Sequence, residues 1–578
     1  MHVYGIYVAM YIDIVPNRKS PPAVLLRESY REDGTVKKRT LANLSALPME
    51  HVELIQRSLK GEKLYSAGDL FDVVRNIPHG HVQAVLGTIR KLGLDQMIYS
   101  RPCRERDLVV GMIAERLIYG CSKLATVRHW HTTSLAGELG IEDADEDDLY
   151  EAMDWLLARK EKIENKLAKK HLGTGAAVFY DVTSSYYEGR CCPLARFGHS
   201  RDRKRGRPIV VYGVMTDRAG RPVSVDVYPG NTGDSTTVVD QVEKLRDRFG
   251  LEKLVLVGDR GMLTQAQIDK VRSYPGIGWV SALRAGQIRQ LAEGGSLQMS
   301  LFDEHNIAEI EDPQYPGERL VVCYNPLLAE ERKRKRAELL EATEKLLDKV
   351  AAQVGRRTKT PMPKEEIGIK VGRVLYRHKM GKHFRVTIQE GQFSYKRRED
   401  SICKEQELDG IYVIRTSEPA RKLARDDVVR TYKNLAEVER VFRTMKSLDI
   451  RVRPIRHWNE DRVRAHIFIC LLAYYVEWHM RKALRPMLFD DEQRERIRPR
   501  RDPVAPAQPS PSAEKKKSTK STPDGLPVHS FDTLLAELAT LCRNVCQRKN
   551  DDGKHTFNMM TQPSAIQEKA FKLLEVYP

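Results

Sequence analysis

The chain has 578 residues, with 97 Lys and Arg against 79 Asp and Glu, a formal net charge of +18. At roughly 100–200 residues per domain, that length predicts three to five domains and a core that needs no disulfide or metal staple. The charge favours a polyanionic partner; 30% charged and 41% hydrophobic residues exclude a disordered chain, and nine scattered cysteines without a CxxC pair fit a reducing cytoplasm rather than a secreted scaffold.

In chain order, residues 1–61 read as a small β unit. Tyr11–Val15, Ala23–Tyr30 and Val36–Leu41 are strand-like, and Asp33-Gly34 between the last two is a hairpin signal. The start, Met1 to Pro16, has no basic n-region and contains Asp13, unlike a secretory leader. Residues 62–172 turn helical and form the expected DNA-binding region. Leu149, Ala152, Met153, Leu156 and Leu157 share one helix face after the acidic run Glu142–Asp148. Within this region Arg104–Tyr119, the turn Gly120-Cys121-Ser122 and Lys123–His131 outline a helix-turn-helix; two helices that merely pack together have the same outline.

Residues 173–285 are β-rich, with runs at Ala177–Val182, Ile209–Thr216, Val223–Tyr228, Leu254–Val257 and Ile277–Ala282. Helix-like Thr236–Phe249 and Thr264–Arg272 separate the last three. The order β-β-β-α-β-α-β gives an antiparallel meander to which later strands add in parallel. That is the ribonuclease H-like arrangement. The expected fold class is therefore α/β: such a catalytic core interrupted by a β-rich insertion, with an N-terminal β-hairpin plus helical region and a small helical C-terminal tail.

The insertion, 286–425, holds a long basic helix whose stripe is Leu339, Leu340, Leu346, Leu347, Val350 and Ala351, and whose Arg332–Arg336 reads RKRKR. Gly368–Tyr376, His383–Gln389 and Ile411–Thr416 are strand-like. Helix returns over 426–485 and closes the core. There the most apolar run, Ile467–Trp478, reaches only about half the ~20 residues of a membrane span. Residues 486–526, with Pro499, Pro503, Pro506, Pro509 and Pro511, are expected to be a disordered basic linker. Helical Phe531–Gln547 and Ala565–Val576 form the tail, 527–578. No internal repeat is visible.

Three carboxylates stand out. Asp181 interrupts an apolar strand, where an unpaired ionised carboxylate is costly. Asp259 lies where a second apolar strand runs into a Gly-containing turn, the end at which open α/β sheets carry their sites. Each alone also reads as a structural ion pair or strand cap. In the strand order above, the first and fourth strands are neighbours, so the two meet at one sheet edge. The third is Glu439. Tyr432, Glu439 and Lys446 are spaced by seven and seven, nearly two turns each at ~3.6 residues per turn, and Arg443 shares that face. Glu437, two residues from Glu439, is expected on the solvent side. Three such carboxylates suit hard divalent cations: two Mg²⁺ ions, with Mn²⁺ as a substitute, placed for in-line phosphoryl displacement.

Around them, the loop Arg190–Arg207 is read as a phosphate contact through Arg201, Arg203, Lys204 and Arg205. Arg332–Arg336 reads equally as a solvated helix end or a DNA contact. Cys191-Cys192 with His199, and Cys542 with Cys546, lack four ligands at finger spacing and read as free thiols. Asp234 is expected to cap the helix near Thr236, and Glu188 reads as a loop charge.

These blocks resemble the DDE transposases of bacterial insertion sequences, in the IS-four superfamily and its long 1634-like branch. The resemblance rests on Phe179-Tyr180-Asp181-Val182-Thr183, on Gly258-Asp259-Arg260-Gly261-Met262, and on a Tyr-x2-Arg-x3-Glu-x6-Lys signature in which Tyr432, Glu439 and Lys446 keep the spacing. Pro229-Gly230-Asn231-Thr232, Pro454–Trp458 and Arg464–Phe468 add to it. It covers roughly 175–480, and the first 60 residues loosely. The signature Arg is Leu435 here, and Arg440 or Arg443 is its stand-in. The insertion has no Trp to hold a flipped base, for which Tyr376, Phe384, Phe393 or Tyr395 would serve in a hairpin route.

The resemblance implies a cytoplasmic, nucleoid-associated transposase that binds terminal inverted repeats, cleaves donor DNA and joins its 3′ ends to target DNA. Asp181, Asp259 and Glu439 would be catalytic and metal-binding, with Tyr432, Lys446, Arg443 and Arg440 on phosphate, and a homodimer would form in the synaptic complex. A nuclease that cuts without joining, or a catalytically retired DNA-binding relative, is the alternative.

Overall fold

The computed structural model describes residues 9–18, 20–32, 34–62, 71–202, 204–302, 305–548 and 555–577. The chain divides into two compact units, 1–77 with 542–561 and 78–541 with 562–578.

In the first unit, β1 (Ala9–Val15), β2 (Ala23–Glu32) and β3 (Thr35–Asn43) form an antiparallel meander. Glu32 pairs with Thr35, so β2 and β3 join through a two-residue turn. Gly34 takes the positive φ, 77°, that such a turn demands; Asp33 lies outside the described residues. Helix α1 (Met49–Leu59) sets Val52 against Ile12 and Val24 as a small core.

A second sheet places β4 (Phe71–Pro78) beside the hairpin Cys542–Arg548 and Thr556–Met560. Both partners lie in stretches expected to be helical. The pairing joins residues far apart in sequence: Asn76 Nδ2 donates to Asn544 Oδ1 at 2.8 Å across 468 residues. Local periodicity cannot register a partner that distant.

The second unit opens with α2 (Gly80–Leu92), α3 (Arg104–Ile118), α4 (Lys123–His129), α5 (Glu146–Leu157) and α6 (Lys160–His171). Asp145 caps α5 in a capping box with Asp148, and Leu149, Ala152, Met153 and Leu156 are its buried face. These helices share one core with the sheet that follows.

That sheet is large and mixed, and the chain is α/β. β5 (Ala176–Tyr186), β6 (Ile209–Thr216) and β7 (Pro222–Pro229) are antiparallel neighbours. α7 (Val238–Glu243) leads to β8 (Leu254–Val257), and α8 (Gln265–Arg272) to β9 (Ile277–Ala282). β8 pairs in parallel with both β5 and β9.

The insertion then returns to this sheet rather than standing apart. β10 (Ile307–Ile310) and β11 (Arg319–Tyr324) come first. α9 (Pro326–Arg356), α10 (Lys364–His378) and the hairpin β12 (Phe384–Gln389) and β13 (Gln392–Arg397) build a separate core around Leu347, Ile367, Val371 and Phe384. β14 (Ile411–Thr416) closes it. The final order is β10-β11-β14-β9-β8-β5-β6-β7, eight strands.

Three expectations change in this region. Gly368–Tyr376 is helix α10, not strand, because Ile367, Val371, Val374 and Leu375 recur at helical spacing and pack on the local core. Arg336 is buried, and its Nη2 bonds both oxygens of Asp409 at 2.5 and 2.7 Å, so the RKRKR run ends in an internal ion pair. The basic, proline-rich 486–526 is not structureless. Within it α14, counted after α11 (Arg425–Lys433), α12 (Leu435–Arg443) and α13 (Glu460–Leu484), spans Pro511–Thr519. Lys516, buried, donates to the carbonyls of Arg485, Leu488 and Asp490 at 3.0, 2.9 and 2.8 Å and to Glu492 at 2.7 Å. Composition counts what a segment can bury; here a lysine docks it on carbonyls. The tail helices are α15 (Phe531–Ala539) and α16 (Ala565–Leu574).

Ile467 to Val476 in α13 are fully buried, which explains a helix apolar all round. Among the described residues no helix is long and apolar enough to cross a membrane.

Candidate active site

Strand register places the two aspartates. Phe179 of β5 faces Val257 of β8, the last pair of that parallel ladder. Asp181 lies two residues further on within β5 and Asp259 two residues past the end of β8, and the Asp259 charge acts on the Asp181 carboxyl. β8 stops at Val257, so on that side Asp181 has no ladder partner, while on the other it still pairs with Val214 of β6.

Backbone N–H groups fix them. Val182 N donates to Asp181 Oδ1 at 2.7 Å. Gly261 N and Met262 N donate to Asp259 Oδ1 at 2.8 and 2.7 Å, an Asx turn that explains the Gly-Asp-Arg-Gly punctuation. Burial pushes the Asp181 carboxyl up to about 7; the Asp259 and Asp234 charges push the same way, against Val182 N–H and Arg201.

The third block is not one regular helix. α11 ends at Lys433, α12 begins at Leu435, and a π-helical turn follows at Thr444–Leu448. Tyr432, on α11, is half-buried, and its phenol is raised to about 12 by burial and then by Asp259, with Glu439 and Asp181 adding to the rise and Arg260 opposing it. It therefore sits within the field of all three carboxylates. Glu439 is exposed on α12. Among the described residues, the oxygens of Asp181, Asp259 and Glu439 do not close to within 4.8 Å as a group.

Two expectations on this block are overturned. Glu437 is buried, not solvent-side: it pairs with Arg494, with Arg440 at 3.8 Å and with Arg498 at 3.9 Å. Arg440 belongs to α12 itself, while Arg494 and Arg498 come from the segment after α13. Lys446 lies past the end of α12, on the π turn, so the seven-and-seven ladder does not run along one regular helix. The π turn widens the spiral, and Nζ donates to Ser184 O at 2.5 Å and Asp202 Oδ1 at 3.2 Å.

Asp202 is the residue the sequence reading missed. Its carboxylate, 2% exposed, also takes Arg453 Nη1 at 2.5 Å and Tyr186 N at 3.0 Å. A single acid inside the run Arg201-Asp202-Arg203 was its only signal. Arg201 pairs with Asp234, so Asp234 does not cap the following turn as expected. Lys204 stands 5.2 Å from the Tyr186 ring centre, and Arg205 is exposed. Arg203 lies outside the described residues. Arg443 is exposed on α12; Glu188 pairs with Arg207 and Arg456, each at 3.2 Å. Cys191, Cys192, Cys542 and Cys546 form no disulfide. α3 and α4 are joined by the expected turn, with Leu108–Leu117 of α3 buried in the core.

Comparison with known proteins bears on these blocks. Residues 181–476 match the family described as "Transposase DDE domain", and residues 12–69 match "IS1634 family transposase, N-terminal domain". No curated protein matches the chain. Among solved structures, it is distantly similar to the piggyBac transposase synaptic complex with hairpin DNA, determined by cryo-EM, at 10% identity and a TM-score of 0.33, over 80% of this chain and 76% of that one. The first match begins on Asp181, contains Asp259 and Glu439, and spans more than half of the 578 residues. The chain belongs to the DDE transposases, on the IS1634-like branch, enzymes that act on DNA and use divalent metal ions.

Proposed function

We propose that this transposase binds the terminal inverted repeats of a bacterial insertion sequence, cleaves donor DNA and joins the 3′ ends to target DNA from a ribonuclease H-like core. The observation that carries the reading is that Asp181, Asp259 and Glu439 all bear on the Tyr432 phenol, with Asp259 also bearing on Asp181. The strand order β7-β6-β5-β8-β9, with a reversed meander and two parallel additions, supports the core assignment.

Asp181, Asp259 and Glu439 would hold two Mg²⁺ ions. The donors are all oxygens, as a hard cation requires, and one oxygen of each aspartate is already tied to backbone N–H, which leaves Oδ2 for the ion. The upward pressure on the Asp181 carboxyl is what a cation between two carboxylates relieves. When bound, such ions activate a water or 3′-hydroxyl and stabilise the leaving oxygen.

The chain's own groups do the rest. Tyr432 keeps its proton at any working pH, so its O–H donates to a phosphate oxygen. Lys446 positions rather than contacts: through Ser184 and Asp202 it locks β5 to the helix carrying Glu439. Arg440, Arg443, Lys204 and Arg205 face solvent and take backbone phosphates, with Arg203 in the same loop. The helical region 62–172 contributes repeat binding, and two chains act together in synapsis.

The test is single-turnover cleavage and joining of labelled terminal DNA with Mg²⁺, alongside a gel shift. Glu439→Gln keeps size but removes the anionic donor. At 1.36 kcal/mol per tenfold, losing several kcal/mol predicts at least about a thousandfold slower cleavage, with binding retained. Cleavage by wild type without joining would leave a nuclease. An active Glu439→Gln protein would sink the assignment of the third carboxylate.

A further inference from the structure

We propose that Glu115, Cys121 and His129 bind one thiophilic transition-metal ion of the Zn²⁺ class, which staples the turn between α3 and α4. Among the described residues, this is the group whose Cys, His and carboxylate donor atoms lie within 4.8 Å of one another. Glu115 comes from the last turn of α3, Cys121 from the turn, and His129 from the end of α4.

The spacing fits a tetrahedral ion. Cys121 Sγ lies 3.6 Å from His129 Nδ1, and that nitrogen lies 3.8 Å from Glu115 Oε1. Bonds of roughly 2.3 Å to sulfur and 2.0–2.2 Å to nitrogen and oxygen, at the tetrahedral angle, put such ligands about 3.3–3.6 Å apart. Those two distances lie within a few tenths of an ångström of that span, and all three donor atoms lie within 4.8 Å of one another.

Glu115 supplies the second, independent observation. It is 3% exposed, and its Oε1 has no hydrogen-bond partner. Burial pushes this carboxyl up to about 8, against the charges of Arg116 and Lys123, and a bound cation would hold it ionised. A weak thiol bond from Cys121 to the Tyr119 carbonyl, 3.7 Å, accounts for the sulfur but not for this carboxylate.

The donor set names the metal class. Sulfur and imidazole nitrogen are poor partners for Mg²⁺, which the oxygen-only carboxylates of the active site suit instead. A thiolate and a carboxylate together neutralise a divalent ion, so Arg116 and Lys123 nearby face no added charge. Arg116 is itself occupied by the Cys121 and Ile450 carbonyls at 2.9 and 3.5 Å. Cys121 also lines a surface cleft with Gly120, Ser122 and Lys123, which gives the ion an entry path and a water a fourth position.

The experiment uses the full chain, stripped with chelator and titrated with Co²⁺ and then Zn²⁺. We expect one equivalent that gives tetrahedral d–d bands and a near-ultraviolet charge-transfer band of one thiolate's intensity, a signature that ions on the all-oxygen carboxylates of the active site do not give. Zn²⁺ should displace the cobalt. Cys121→Ser should abolish the charge-transfer band, His129→Ala and Glu115→Gln should weaken binding at least about tenfold, and Cys191→Ser should change nothing. Circular dichroism checks folding. No stoichiometric binding by wild type overturns the site without reference to any variant. A charge-transfer band that survives Cys121→Ser, or a wild-type intensity of two thiolates, overturns it too.

Discussion

Asp181 is a carboxylate that its surroundings make expensive to ionise. Its pKa, near 7 in the folded chain, is raised from the ordinary carboxylate range, so the folded state holds this proton more tightly than the unfolded state does. Stability from that proton is fully present below about pH 4 and is lost as pH rises toward 7. The Tm advantage of Asp181→Asn over wild type should therefore grow between pH 4 and 7.5, and millimolar Mg²⁺ should shrink it by stabilising wild type alone. A constant difference across pH, read by thermal unfolding, would remove the strain from Asp181. At this scale the sequence was readable where a residue violates its element. Asp181 in an apolar strand and Asp259 after one announce themselves. Asp202 does not, since an acid among arginines looks like a solvated loop until Lys446 and Arg453 arrive from 244 and 251 residues away. Glu437 fails for the same reason: its arginine partner on the segment after α13 lies 57 residues on.

At the scale of elements, the local strands β6, β8, β9 and β14 fall on the expected runs residue for residue, because apolar β-branched runs bounded by turns carry their own signal. The return of the insertion to the sheet carries none. It is secured by a buried ion pair: Glu318, beside β11, takes Arg415 of β14 at 2.5 and 2.6 Å, and Arg272 of α8 at 2.6 Å. Removing one partner strands a buried charge. Glu318→Ala should cost about 3–5 kcal/mol in urea unfolding, while the double replacement Glu318→Met with Arg415→Met should recover much of it. Equal losses in both would mean that packing, not charge, holds β14. In the docked segment 511–519, Lys516 makes four polar contacts to the chain before it, beside the Ser510–Asp491 bonds at its start. Lys516→Gln should free it, and trypsin should then cut faster at exposed Lys515, Lys517 and Lys520, as mass spectrometry of timed digests would show. An unchanged cutting rate would mean that Lys516 is not the anchor.

For the whole molecule, the +18 charge makes association with DNA a counterion-release process. With about six to ten phosphate contacts, affinity should fall roughly 10³–10⁵ between 50 and 200 mM salt. Lys204→Ala with Arg205→Ala should flatten the log–log slope by about two. Arg201→Ala should flatten it less, because that cation is already paired with Asp234. An unchanged slope in the double variant would take the loop off the DNA surface.

The eight-strand order also sets a timetable for synthesis. Asp181 and Asp259 are made with β5 and β8, which pair with each other, but Glu439 follows only after the whole insertion, including β14, the partner of β9. At roughly 5–20 residues per second, a ribosome needs on the order of ten to forty seconds to travel from one to the other. Throughout that interval the nascent chain has its acid pair and no third carboxylate. On the role proposed for Glu439, a message broken within the insertion yields a polypeptide that keeps its acid pair but lacks the residue that completes the site.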